Sequence, residues 1–387
     1  MTPPTPLLFG DTQRFAALRH EVPIAIIDPL MWAEADGRPV ILTSMLERDR
    51  IAAALPKAEI LDFVAFGIRE LREQGLSYAA AEREVAARVA RHLGLTEVVV
   101  PGEFPVALAD RLRTDGVRVT VDDEAFHVRR RAKSASELAG IQVAQRAAER
   151  GVAAAAGLLA AAEPGPDGNL HLDGSVLTAD RVRDELRAAC ADAGAPCPPG
   201  VMVATVRDGF GHEPGSGPLP AGLPIQVDVF PCHEATSCWA DMTRTFVVGD
   251  PVPEHAELIA EQEQLVRAAL EDARGAIRPG VTGRELYNLV CDRFEAAGYR
   301  TQRTGQGEDP SEGFQFSLGH GVGLEVHEEP SLGLAGGQPL LAGDVVAIEP
   351  GLWDRRIGGV RFEDLVLLTD DGAETLTSYP YELTPRA

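Results

Sequence analysis

No run of about 18 apolar residues, the length a helix needs to cross a bilayer, occurs in this sequence, so no helical membrane span is expected. Cations are scarce as well. The 36 Lys and Arg stand against 59 Asp and Glu, a formal charge of -23. A surface this acidic repels nucleic acid and anionic lipid, so neither is an expected partner. Cysteine is sparse and odd in number, with five: Cys190, Cys197, Cys232, Cys238 and Cys291. Their spacing fits no zinc motif, and they read as ordinary thiols of a reducing compartment. The opening MTPPTPLLFG has no basic segment followed by an apolar core, so a signal peptide is not expected and the cytoplasm is the expected location. Neither GxSxG nor HExxH occurs, which removes the serine elbow and the zinc-protease helix from consideration.

What is present spans 387 residues, enough for two domains. Up to about residue 125, short apolar runs alternate with helical stretches. Pro23–Ile27, Val40–Thr43, Ala58–Phe63, Val98–Val100 and Val117–Val121 read as strands, and Phe66–Glu73 and Tyr78–Leu93 as helices. That alternation predicts a smaller α/β domain over residues 1–130, with no phosphate loop and a supporting role. Arg129, Arg130, Arg131 and Lys133 read as a linker, with Ser134 or Ser136 capping the long helix that follows. Over residues 131–387, helices at Thr178–Ala193, Glu254–Ala276 and Thr282–Ala297 mix with β-like runs. Those runs are Val201–Val206, Pro224–Phe230, Thr243–Val248, Val345–Glu349 and Phe362–Leu368. An α+β domain is predicted there, with the last two runs in one sheet.

Five residues of this second region stand out. Asp228 interrupts the apolar run IQVDVF, and a buried carboxylate needs either a metal or an arginine partner. Asp241 precedes MTRTF, where Arg244 offers an alternative structural pairing. His320 lies in GHGVG, whose glycines admit an imidazole to a crowded site, although a satisfied core histidine has the same surroundings. Glu349 ends the run DVVAIE just before Pro350 and Gly351. Glu363 follows Arg361 by two residues, which places both on one strand face and Asp364 on the other. Four carboxylates and one imidazole suit hard or borderline divalent ions, and a carboxylate can bridge two of them. Two adjacent ions can activate water and stabilise the oxyanion formed on attack. The wide spacing of the five leaves their convergence open.

Taken together, VDVF, ADMTRTFVVG, SLGHGVGLEVHEEP, AIEPG and GGVRFEDLVLLT resemble the creatinase/prolidase/methionine aminopeptidase superfamily, the "pita-bread" metallopeptidases of family M24. The likeness is to the Xaa-Pro dipeptidase and aminopeptidase P branch, and it covers nearly the whole chain. It implies an α+β pita-bread catalytic domain preceded by a creatinase-like N-terminal α/β domain. It further implies two divalent metal ions, Mn foremost and Co, Zn or Fe as alternatives. Asp228 would hold one ion and Asp241 would bridge both. His320 and Glu349 would hold the other, with Glu363 as the second bridge. His212 in GFGHEPG and His327 in GLEVHEEP would contact the substrate and assist proton transfer. Glu349 would accept the proton of water, while Thr243 and Arg361 would orient the ligands. The implied substrate is a small peptide with proline in second position, and the implied assembly is a homodimer. A hydrolase of another small amide and a non-enzymatic binding protein on the same fold are the competing readings. Two departures from the family pattern are visible. Thirteen positions separate Asp228 from Asp241, which points to an enlarged turn around Cys232–Trp239. Phe316 stands four positions before His320, where many relatives carry a histidine, and makes a larger apolar wall in the substrate pocket.

Overall fold

The computed structural model describes residues 4–35, 37–208, 213–304, 309 and 311–386. The chain divides into two compact units, Met1–Arg130 and Arg131–Ala387.

The first unit is built on a six-stranded sheet. Its spatial order is Glu59–Asp62, Arg38–Thr43, Leu30–Ala35, Thr5–Gly10, Glu97–Val100 and Arg118–Val121. The three central strands are antiparallel, and the flanking pairs are parallel. Consecutive strand residues face opposite sides. Leu7, Met31 and Leu42 enter one core with Val85, Val89 and Leu112, and Leu8, Trp32 and Ile41 enter the other with Leu18, Ile51 and Phe126. The sheet is therefore buried on both faces. Pro23–Ile27 is not a strand. Ile26 is buried, but the backbone there is held by Thr12, whose Oγ1 donates to the Ile24 carbonyl (2.6 Å) and accepts from the Ile26 amide (2.7 Å). The apolar run packs as a loop because a threonine satisfies the polar groups a sheet would have taken. The strands Thr5–Gly10 and Leu30–Ala35 carry no alternation, since both faces are covered, and the sequence reading missed them.

In the second unit the long helix Ala135–Ala160 starts at a capping box. The Glu137 amide donates to Ser134 Oγ (3.2 Å), and the Ser134 amide donates back to Glu137 Oε2 (2.7 Å). The preceding basic run, read as a linker, is helical as far as Arg131. The helix Glu124–Arg131 contains its arginines, and Arg131 makes a bidentate pair with the buried Asp344 (2.9 and 2.6 Å). Lys133 forms a buried ion pair with Glu328. Two sheets carry the chemistry of this unit. Met202–Ala204, Ile225–Val229 and Met242–Phe246 form an antiparallel set of three. Glu328–Leu332, Gly319–Gly321, Val345–Ile348, Asp364–Thr369 and Gly372–Thr375 form a set of five. The helices Pro253–Ala276 and Gly283–Ala296 pack on the core beneath the second set. The extra residues between Asp228 and Asp241 form a small hairpin, Cys232–His233 against Cys238–Trp239, with Ser237 at φ 60° in its turn.

Candidate active site

Strand alternation aims Asp228. Ile225, Val227 and Val229 point into the hydrophobic core, so Gln226 and Asp228 face the other way. Asp228 lies opposite Thr243 in the neighbouring strand, and Asp241 sits just before that strand begins. His320 is the middle residue of Gly319–Gly321, a strand paired on both sides. A Cβ at Gly319 would overlap the Ala347 carbonyl, and one at Gly321 would meet the Glu329 carbonyl. The GHG phrase is therefore a close-packing requirement of that strand. Glu349 follows Val345–Ile348 directly, and its amide donates to the Leu318 carbonyl (2.8 Å). Glu363 joins the two sheets: its amide donates to the Thr243 carbonyl (3.1 Å), and Thr243 Oγ1 donates to Glu363 Oε2 (2.7 Å).

Arg361 and Glu363 do not share one strand. Gly358–Arg361 pairs with Gly351–Asp354, and a new strand begins at Asp364. Both side chains nevertheless line one cavity, because the break occurs at the crossing between sheets. Asp364 points away, to Arg244 (3.0 Å) and Arg274 (3.2 Å). Arg244 is thus paired with Asp364 and not with Asp241. It also donates to the carbonyls of Thr243 (2.9 Å) and Glu363 (2.7 Å). One fully buried guanidinium thereby fixes the backbone on both sides of the site.

The five singled-out residues converge. Ligand-type atoms of Asp228, Asp241 and Glu363 lie within 4.8 Å of one another, as do those of His320, Glu349 and Glu363, and those of Asp241, His320 and His327. His320 Nε2 is 3.7 Å from Asp241 Oδ2 and 3.6 Å from Glu349 Oε1. Arg361 is the cation facing them, in contact with Asp228 and 3.5 Å from Glu349. Among the described residues, Asp228 Oδ1, Asp241 Oδ1 and Glu363 Oε1 are buried without a hydrogen-bond partner. Burial, then the charges of Glu363, Asp228 and Glu349, hold the Asp241 carboxyl well above the ordinary range. Burial and the same kind of crowding do this to Glu363. His320 is pushed down by burial, which favours the neutral imidazole a metal takes. Orphaned carboxylate oxygens around one guanidinium fit divalent cations, which would offset the charge and fill the open acceptor positions.

The cavity holds about 540 Å³. Phe316 lines it and stacks edge-on against Phe314 (4.9 Å between centroids) and Trp353 (4.8 Å). His327 is exposed, with its ring 4.2 Å from that of His320. His212 lies outside the described residues. Trp353, Phe230 and Met202 also line the cavity and were missed. Strand parity from Glu349 through Gly351 was the available signal for Trp353, while Met202 carries none. A second concavity of about 550 Å³ lies beside Tyr299 and Asp354. Its Arg356 is already paired with Asp354 (2.7 Å), and no cluster of ligand-type atoms forms there among the described residues.

A two-domain fold with a carboxylate-rich cleft between two antiparallel sheets defines the pita-bread class of metallohydrolase. More particularly, residues 139–370 match the model of metallopeptidase family M24, and the chain belongs to that family. An Xaa-Pro dipeptidase of Pyrococcus furiosus is 38% identical over 144 residues, 37% of each chain. A probable dipeptidase, PepE, of Mycobacterium tuberculosis is 35% identical over 144 residues, 37% of this chain and 34% of that one. The matched stretch thus spans little more than a third of these relatives. In fold, the prolidase of Pyrococcus horikoshii superposes with a TM-score of 0.74 at 22% identity, over 98% of this chain and 95% of that one. The Xaa-Pro dipeptidase of Bacillus anthracis gives 0.77 at 22%, over 98% and 94%.

Proposed function

We propose that the protein is a metal-dependent exopeptidase that hydrolyses the peptide bond preceding proline. The observation that carries this reading is the convergence of four carboxylates and an imidazole, with buried oxygens left open toward one another. Family membership supports the metallopeptidase chemistry, and the name of one relative, an Xaa-Pro dipeptidase, points to the substrate class. In this reading Asp228, Asp241, His320, Glu349 and Glu363 would together hold two divalent ions, with Asp241 and Glu363 placed to serve both, and Mn would be preferred ahead of Co, Zn or Fe. When bound, such ions lower the pKa of water and polarise the scissile carbonyl.

The chain's own residues do the rest. Glu349 takes the proton from the attacking water and passes it toward the leaving proline nitrogen. His327 beside His320, together with His212, donates to the developing oxyanion. Arg361 holds Asp228 and Glu349 in place from behind. Phe316 and Trp353 give the proline ring an apolar wall. The unit Met1–Arg130 serves as support and as part of a homodimer contact. No described helix is long and apolar enough to cross a membrane, and cytoplasmic action belongs to the same proposal.

The test is the parent protein and Asp241→Ala, each loaded with Mn, Co or Zn and assayed on Xaa-Pro peptides. Asp241→Ala is expected to lose bound metal and to reduce turnover by at least about a thousandfold, since a bridging ligand serves both ions. Unchanged metal content and rate in the variant would sink the site. Absence of cleavage of every Xaa-Pro peptide by the parent would sink the activity.

A further inference from the structure

The lining of the cavity is of two kinds. The carboxylates and imidazoles cluster together. Phe316 packs edge-on against Trp353, Ser317 and Ser331 lie beside each other at Gly333, and with Gln315 these give the cavity a neutral wall. Among the described residues that line it, Arg361 is the one lysine or arginine. That guanidinium is committed to Asp228 and Glu349 in the carboxylate cluster. Other cations of the surrounding segments are engaged elsewhere: Arg284, beside Ser331, with the Leu334 carbonyl (2.9 Å), Arg356 with Asp354 (2.7 Å), Arg355 with Ser311 (2.9 Å) and Asp309, and Lys133 with Glu328. Residues 209–212, 305–308 and 310 include no lysine or arginine in the sequence.

A scissile carbonyl placed at the carboxylate cluster puts the proline ring against Phe316 and Trp353. Whatever follows proline then meets the neutral wall. In a free Xaa-Pro dipeptide that next group is a carboxylate, which would leave water without a cationic partner. In a longer peptide it is an amide, whose N–H and C=O match hydroxyl and carboxamide groups. We infer that the enzyme prefers substrates in which proline is followed by an amide, Xaa-Pro-Yaa and longer, over free Xaa-Pro dipeptides. This rests on the proline-directed reading above and narrows it to a substrate class.

Three substrates separate charge from length: Ala-Pro, Ala-Pro amide and Ala-Pro-Ala, compared by kcat/KM on the metal-loaded protein. The amide and the tripeptide are each expected to exceed the dipeptide by about tenfold or more, the penalty for an unpaired polar group in a closed site. A second readout needs no turnover. Trp353 lies in the wall, so its fluorescence in metal-free protein should respond to Ala-Pro amide at lower concentration than to Ala-Pro, and Trp353→Phe should lose that response. A dipeptide cleaved as well as the other two overturns the inference and leaves the proline-directed activity standing. So does an amide as poor as the dipeptide, which would assign the preference to length. Cleavage of none of the three overturns both.

Discussion

At the scale of single residues, the site depends on side chains that hold ligands as much as on the ligands. Thr243 occupies a strand position directly opposite Asp228, and its hydroxyl donates to Glu363 Oε2 at 2.7 Å. Glu363 has few other sources of support: burial and the neighbouring carboxylates push it toward the neutral form, and Arg361 and Thr243 oppose that push. Thr243→Val keeps the shape and removes the donor. Hydrogen bonds that orient metal ligands are worth about 10- to 100-fold in affinity or activity. Thr243→Val should therefore weaken metal binding and lower kcat within that range while leaving KM for peptide nearly unchanged. Titration of metal against activity and by calorimetry checks it, and a variant with parental metal affinity refutes the role. The threonine was legible as a candidate only through its phrase, ADMTRTF. Arg244 was legible as a charge but not in direction: three residues after Asp241, it pairs instead with Asp364, 120 positions further on.

Helices were readable from their wet faces, whereas two of the doubly buried strands, Thr5–Gly10 and Leu30–Ala35, were not. The helices at Tyr78–His92, Ala179–Asp192 and Gly283–Ala296 lie within a residue or two of where composition and capping residues put them. Thr282 with Glu285 and Ser134 with Glu137 form full capping boxes. Leu30–Ala35, central and buried on both faces, left no period to read, and Pro23–Ile27 imitated a strand because Ile26 is buried in a loop. Helix composition also concealed Glu82, which lies on the buried face of Tyr78–His92 at 5% exposure. Burial first, then the charge of Asp28, raises its carboxyl from 4.5 to about 7, against Arg83. The sign follows from linkage. Between pH 4.5 and 7 the unfolded chain releases this proton while the folded chain keeps it, so stability falls as pH rises through that window and is level above it. The loss is on the order of 3 kcal/mol. Glu82→Gln removes the titration, so its stability relative to the parent should rise between pH 4.5 and 7.5 by that amount in denaturant melts. A constant difference across the range would show that Glu82 is solvated in the folded state.

For the whole molecule, the formal charge of -23 and the four converging carboxylates describe one problem at two distances. The global charge gives the metal-free site little relief, and locally Arg361 is the cation in contact with the cluster. Composition made the acidity plain, and the phrases around each ligand made the cluster plain. The join between the sheets at Thr243 and Glu363 could not be read, because it is a tertiary contact across 120 positions. That join implies a coupling between metal and fold. Burial and the neighbouring carboxylates push Asp241 and Glu363 well above the ordinary carboxylate range without metal, and a bound cation favours their ionised forms, so any proton they hold in the free protein is displaced on binding. Calorimetric titration of Mn into chelator-treated protein should therefore release protons, seen as a binding enthalpy that changes with the ionisation enthalpy of the buffer. Occupancy should also stabilise the fold by about 2.7 kcal/mol at a hundredfold excess of metal over its Kd, raising the Tm measured by scanning calorimetry. The two readouts must move together, since the carboxylates that exchange protons for metal also hold the two sheets against each other. A buffer-independent enthalpy with an unchanged Tm would mean that the added metal binds elsewhere on the acidic surface, and that the cleft between the sheets is not its site.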